Sequence, residues 1–175
     1  MRSAKPYSNA TFTRRVDHEA GRHRPPRAPS EPRVCVACGA AYSHRRWVTA
    51  AAAERQGLTL EGGVGAATPV RCPACRILAH GSPAGMLVVD GEFPDAHAQE
   101  VQALLDGEAA RAAEDNPLGR IIERRRDAEG RLIVATTTEH LAQRLGHALE
   151  KAFTGRVRYD FSHENKFARV YWHRD

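Results

Sequence analysis

Val34-Cys35-Val36-Ala37-Cys38-Gly39 and Arg71-Cys72-Pro73-Ala74-Cys75-Arg76 hold all four cysteines of the chain, as two matched Cys-x-x-Cys pairs. Two residues between thiolates let one tight turn aim both sulfurs at a single cation. Two such turns supply the four ligands of a closed tetrahedral site. The pattern therefore reads as a structural zinc site with Cys35, Cys38, Cys72 and Cys75 as ligands. Gly39 suits the first turn, because positive φ lets backbone N–H groups face the sulfurs; Arg76 occupies the equivalent place in the second. The 33 residues between Cys38 and Cys72 exceed a usual zinc-ribbon loop, so an inserted element must bring the pairs together. Disulfides are the first alternative, and a chain without an export signal argues against them. A redox Cys-Pro-Ala-Cys is the second, and it leaves the other pair unexplained.

Outward from the cysteines, charge divides the 175 residues unevenly. The net charge is +5, and residues 1–33 alone carry +5, so the remainder is neutral. That first segment holds Arg2, Lys5, Arg14, Arg15, Arg22, Arg24, Arg27 and Arg33, five prolines and almost no apolar periodicity. Such a composition cannot bury enough surface to offset the entropy of ordering, which predicts a disordered basic arm. Positive arms meet nucleic-acid phosphates by releasing counterions, and a solubilising tail has the same composition. No apolar run approaches a membrane span and no secretory signal is evident, so the expected address is the cytoplasm.

Residues 34–82 are expected to form the zinc ribbon. An inserted helix over residues 42–56 would place Trp47, Val48, Ala51 and Ala52 on one side and stop at Gly57. Leu58-Thr59-Leu60 reads as a short strand and Gly62-Gly63-Val64-Gly65 as a turn. The latter lacks the Lys-Ser/Thr of a phosphate-binding loop.

From residue 83 onward the order reads β, α, β, β, α, β, β. Residues 86–90 form the first strand. A helix over 97–114 carries Val101, Leu104 and Leu105, then Ala109, Ala112 and Ala113, and Asn116-Pro117 ends it. Strands over 120–126 and 131–137 make a hairpin. Thr136 and Glu139 have capping-box spacing for a helix whose stripe is Leu141, Leu145, Leu149, Ala152 and Phe153, with Gly155 at its end. Strands over 156–161 and 167–174 close a second hairpin. The predicted class is α+β: the ribbon, then a ferredoxin-like split βαβ sandwich with an extra edge strand over 83–175.

Alternation in the last hairpin puts Val157, Tyr159, Phe161, Ala168, Val170 and Trp172 toward the helices. Arg156, Arg158, Phe167, Arg169, Tyr171 and His173 then share the other face. Arginines interleaved with aromatics suit RNA, whose bases stack and whose phosphates pair. The candidate RNA-binding residues are thus Arg14, Arg15, Arg22, Arg24 and Arg27 of the arm with Arg156, Arg158, Phe167, Arg169 and Tyr171 of the sheet. An interdomain contact for Phe167 and Tyr171 is the competing reading. The nine histidines show no ligand spacing with carboxylates, and no nucleophile, oxyanion loop or paired acids mark an enzyme.

The two Cys-x-x-Cys pairs, Cys72-Pro73-Ala74-Cys75-Arg76, Ser82-Pro83-Ala84-Gly85, Asn116-Pro117-Leu118 and Thr136-Thr137-Thr138-Glu139-His140-Leu141-Ala142 together resemble a family of small bacterial zinc-ribbon proteins. That family is in turn distantly similar to the adaptor for nuclear export of the large ribosomal subunit, the nonsense-mediated decay protein three family. The resemblance spans residues 34–174. It implies zinc at the four cysteines and a ribosomal partner; the chain is much shorter than the adaptor and shows no counterpart to its transport signals. Two functions are therefore expected from sequence: a non-enzymatic zinc protein associated with RNA or the ribosome, or, since the folded body is neutral, a zinc-ribbon protein–protein adaptor or regulatory module whose ribbon holds an edge strand or groove for a peptide.

Overall fold

A computed structural model describes residues 32–58, 67–162 and 167–175. The arm arginines other than Arg33, which opens the first strand, together with Thr59-Leu60, the glycine turn at 62–65 and the tip of the last hairpin lie outside the described residues. Two sheets organise the chain.

The first sheet has the order β3-β2-β1-β4. β1 is Arg33–Cys35, β2 is Ala41–Ser43 and β3 is Arg46–Val48. Helix α1, Ala50–Arg55, follows, and β4 is Thr68–Val70. The first half of the helix expected over 42–56 is therefore a hairpin, and only Ala50–Arg55 is helical. His44 and Arg45 take φ of 50° and 62° between the paired Ser43 and Arg46. Positive φ at both central residues is the two-residue turn that matches strand twist. Tyr42 and Trp47 face each other across it with ring centroids 5.6 Å apart. Only then does Thr49 cap α1, its Oγ1 accepting from the Ala52 N–H at 3.2 Å. Val34, Ala41, Ala53 and Ala67 make a small core between these pieces.

β4 runs parallel to β1, pairing Cys35 with Val70. The chain then turns into helix α2, Pro73–His80.

The second sheet has the order β6-β7-β5-β9-β8. Its elements are β5 (Gly85–Asp90), a single turn α3 (Phe93–Ala96), α4 (Ala98–Asp115), β6 (Ile121–Arg126), β7 (Leu132–Thr136), α5 (Glu139–Phe153), β8 (Arg156–Ser162) and β9 (Phe167–His173). β5, α4 and β6 form a β-α-β unit with antiparallel β7 between the two strands. The sequence puts the extra last strand at the edge; in the structure it is interior. β9 lies between β5 and β8 and is parallel to β5, so the sheet is mixed. Side-chain chemistry explains the exchange: Ala168, Val170 and Trp172 are fully buried, whereas Arg156, Arg158 and Asp160 of β8 are exposed. Charged side chains belong on an edge, where they discourage further pairing.

Both long helices cover one face of this sheet. Leu87, Val89, Val134, Val170 and Trp172 pack there against Val101 and Leu105 of α4 and Leu141, Leu145 and Leu149 of α5. The cap of α5 differs from the expected Thr136 box: Thr138 Oγ1 accepts from Leu141 N, while Thr136 Oγ1 donates to the Thr138 carbonyl. Ala152, expected in the stripe, is exposed. Among the described residues, no helix is long and apolar enough to cross a membrane.

Candidate metal centre

The four sulfurs of Cys35, Cys38, Cys72 and Cys75 lie within 4.8 Å of one another. Strand pairing closes the long spacer: β1 beside β4 delivers Cys35 and Cys72 to the same end of the sheet, and the Val36 N–H donates to the Val70 carbonyl at 2.9 Å. The first pair sits in a knuckle held by Cys35 N–H to the Ala40 carbonyl and Gly39 N–H to the Cys35 carbonyl. Gly39 has φ of 72°, and a Cβ there would meet the Ala50 Cβ at 2.9 Å, so glycine is required twice over.

The second pair is built differently. Cys72 is the N-cap of α2 and Pro73 occupies the first turn, which needs no backbone donor. The Cys72 Sγ accepts from the Cys75 N–H at 3.4 Å. A helical start presents both sulfurs without positive φ, which is why Arg76 stands where the first pair has glycine.

Distances suit a metal. Cys38 Sγ and Cys72 Sγ are 3.8 Å apart, and a tetrahedron with metal–sulfur bonds of about 2.3 Å has edges of about 3.8 Å. Cys35, Cys72 and Cys75 are buried and Cys38 partly so, and all four are free of disulfides.

Electrostatics separate the thiols. Burial pushes Cys35 up, but N–H groups of Cys72, Ala37 and Cys38 outweigh it and bring its pKa down to about 6. The Cys72 N–H reaches Cys35 Sγ at 3.2 Å. Burial drives Cys72 well above the usual thiol range, and negative charge at Cys38 and Cys35 adds to the rise. Burial also raises Cys75. Four adjacent thiolates repel, so a bound cation is what would let all four ionise together. A metal held by all four sulfurs would have its tetrahedral shell filled, with no position left for a substrate.

Two residues missed by sequence reasoning complete the surroundings. Leu118 packs against the cysteine cluster beside Trp47, and Arg120 Nη1 donates to Cys75 Sγ at 3.7 Å. Asn116-Pro117-Leu118 stood out in the sequence as a helix stop and as part of the family resemblance, with no role assigned at the cysteines. Nothing marked Arg120.

The sheet candidates gather on the helix-free face. Arg158 lies 4.3 Å over the Tyr171 ring and Arg169 5.1 Å from the Phe167 ring centre. Arg156 is on the same face, opposite His173. By contrast, Arg124 and Arg126 are engaged by Asp106 at 2.5 Å and Asp95 at 2.7 Å. No protein-family model, curated protein or solved structure matches the chain.

Proposed function

We propose that this is a non-enzymatic zinc protein that binds single-stranded RNA, in a ribosomal or related ribonucleoprotein setting. The observation that carries the reading is the pair of guanidinium–aromatic contacts on one sheet face, exposed Arg158 over half-buried Tyr171 and exposed Arg169 over half-buried Phe167. A guanidinium placed over a ring brings N–H donors for a phosphate next to a π surface that suits a base. An open depression of about 600 Å³ lies beside Arg156, Arg158, Tyr171 and His173, with Glu150 also in its lining. Arg14, Arg15, Arg22, Arg24 and Arg27 add phosphate contacts along the basic arm. Zinc suits the S4 donor set, and its role is to hold the ribbon together.

Binding of the full chain to a single-stranded RNA, measured from low to high salt, tests this. Log affinity should fall linearly with log salt, by about 0.7 per phosphate contacted. An R158Q/R169Q double variant should weaken binding and flatten that slope, while R124Q should not. A salt-independent affinity, or a double variant that binds as tightly as wild type, sinks the proposal. Metal analysis of purified protein checks zinc against iron.

Val36 and Leu78, 57% and 38% exposed on the first knuckle and on α2, favour a second reading as a protein adaptor. Apolar side chains presented by a rigid module suit a peptide partner. V36S/L78S abolishing a protein partner, with RNA affinity unchanged, would select it.

A further inference from the structure

We propose, on the premise that the four cysteines hold a metal, that Arg120 is a positioning residue of that centre and couples metal occupancy to the helix-backed sheet. Arg120 belongs to the loop between α4 and β6, 45 residues beyond the cysteine whose sulfur it reaches. A tetrathiolate site around a divalent cation carries a charge of −2, which a fixed guanidinium offsets. A hydrogen bond to a ligating sulfur also lowers the energy of the sulfur lone pairs and aims the thiolate.

The loop is built to hold that side chain still. Asn116 Oδ1 accepts from the Leu118 N–H at 3.0 Å, and the Gly119 N–H donates to the Asn116 carbonyl at 3.0 Å. Arg120 Nε donates to the Pro117 carbonyl at 3.0 Å, which orients the guanidinium plane and leaves Nη1 for sulfur. Thr137, 2% exposed and directly after β7, ties the loop to the sheet. Its Oγ1 accepts from the Arg120 N–H at 2.8 Å and donates to the Leu118 carbonyl at 2.5 Å. Its own N–H donates to the Arg120 carbonyl at 2.9 Å. Leu118 rests on the cysteine cluster from the same loop. A polar contact and an apolar contact thus join the two modules at one place, and both are anchored by one buried threonine.

The test uses the full chain loaded with zinc, with a chromophoric chelator in excess. R120Q should release zinc roughly ten- to a hundredfold faster than wild type, the range expected when an outer partner of a metal ligand is removed. R120K, which keeps charge but not the fork, should fall between them. In the cobalt-substituted proteins, the sulfur-to-metal charge-transfer bands of R120Q should move to lower energy, a change that a loosened loop distant from the sulfur would not cause. Release within twofold of wild type together with unmoved bands overturns the proposal. If R120Q does not fold, hydrogen exchange in wild type decides: chelation should unprotect amides of 118–121 on the far module, and unchanged protection there overturns it. Wild type that takes up no metal defeats the premise itself, an outcome distinct from loaded wild type indistinguishable from R120Q.

Discussion

Gly146 on α5 lies against Val170 on β9 so closely that a Cβ at 146 would sit 2.4 Å from Val170 Cγ1. The helix can approach the sheet at this point only because residue 146 has no side chain. In an exposed helix interior, Gly→Ala is worth about 1 kcal/mol in favour of alanine. Here overpacking reverses the sign, since forcing an extra carbon into a dense core costs about 1–3 kcal/mol. Gly146→Ala should therefore lower the denaturation midpoint, and V170A in the same chain should make the two losses less than additive. A more stable G146A would contradict the close approach.

Two adjacent residues at the end of α5 should respond to substitution with opposite signs. Thr154 takes φ of 63° and ψ of −151°, a region that β-branched residues avoid and glycine enters freely. Its carbonyl is held there by the Trp172 indole N–H at 2.8 Å. Thr154→Gly should stabilise the protein by about 1 kcal/mol, the relieved strain exceeding the added chain entropy. Gly155, with φ of 96°, has no such room: a Cβ would meet the His173 carbonyl and Trp172 Nε1, each at 2.9 Å. Gly155→Ala should destabilise. Thermal melts of the two variants shifting in the same direction would refute this account of the corner.

The helices and hairpins of the larger module were legible because their signals are local. Val101 and Leu105, or Leu141, Leu145 and Leu149, repeat at helical spacing, and Val170 and Trp172 alternate with Arg169 and Tyr171. The front hairpin was hidden because its turn is His44-Arg45, which adopts positive φ without the Asn or Gly that announces such turns. Trp47 and Val48 then fitted a helical stripe as well as a strand. Helix α2 was missed because its cap is Cys72, which the spacing had already claimed as a ligand. Strand order was out of reach for another reason: β9 sits beside β5 rather than at the edge through pairing with residues some 80 positions away. The signal that could have placed it is the fully apolar inner face of β9 beside the charged alternation of β8. Convergence of the four cysteines followed from spacing, while Arg120 could be found only in three dimensions.

Cys72 does two jobs that one substitution can separate. Its sulfur is a candidate ligand and also caps α2. Serine is among the best N-caps, whereas its neutral hydroxyl is a poor ligand for a thiophilic metal. Cys72→Ser should therefore abolish stoichiometric metal while α2 keeps a cap. Cys72→Ala removes both and should be the less stable of the two without metal, by about 1 kcal/mol. Elemental analysis and urea unfolding of the two variants measure these quantities. Full metal content in Cys72→Ser would remove Cys72 from the ligand set.

Glu108 joins α4 to α5 through Arg144, and this pair should set part of the acid limb of stability. Arg144 Nε donates to Glu108 Oε1 at 2.5 Å and its Nη1 to Asp115 at 2.7 Å, while Arg111 reaches the other Glu108 oxygen at 2.5 Å. Burial works to raise the Glu108 pKa, but the hydrogen bonds and charges of Arg144 and Arg111 win and hold it below the usual carboxylate range. A depressed folded-state pKa contributes stability that is fully present above the unfolded value, about 4.3, and is lost as pH falls through the folded one. Glu108→Gln should thus cost about 1–2 kcal/mol at pH 7. As pH falls through the depressed folded-state pKa and wild type loses the charge too, the difference should shrink toward zero. Urea midpoints of both proteins between pH 2 and pH 7 test the sign: a gap that stays constant, or widens in acid, would mean that packing rather than ionisation makes Glu108 stabilising.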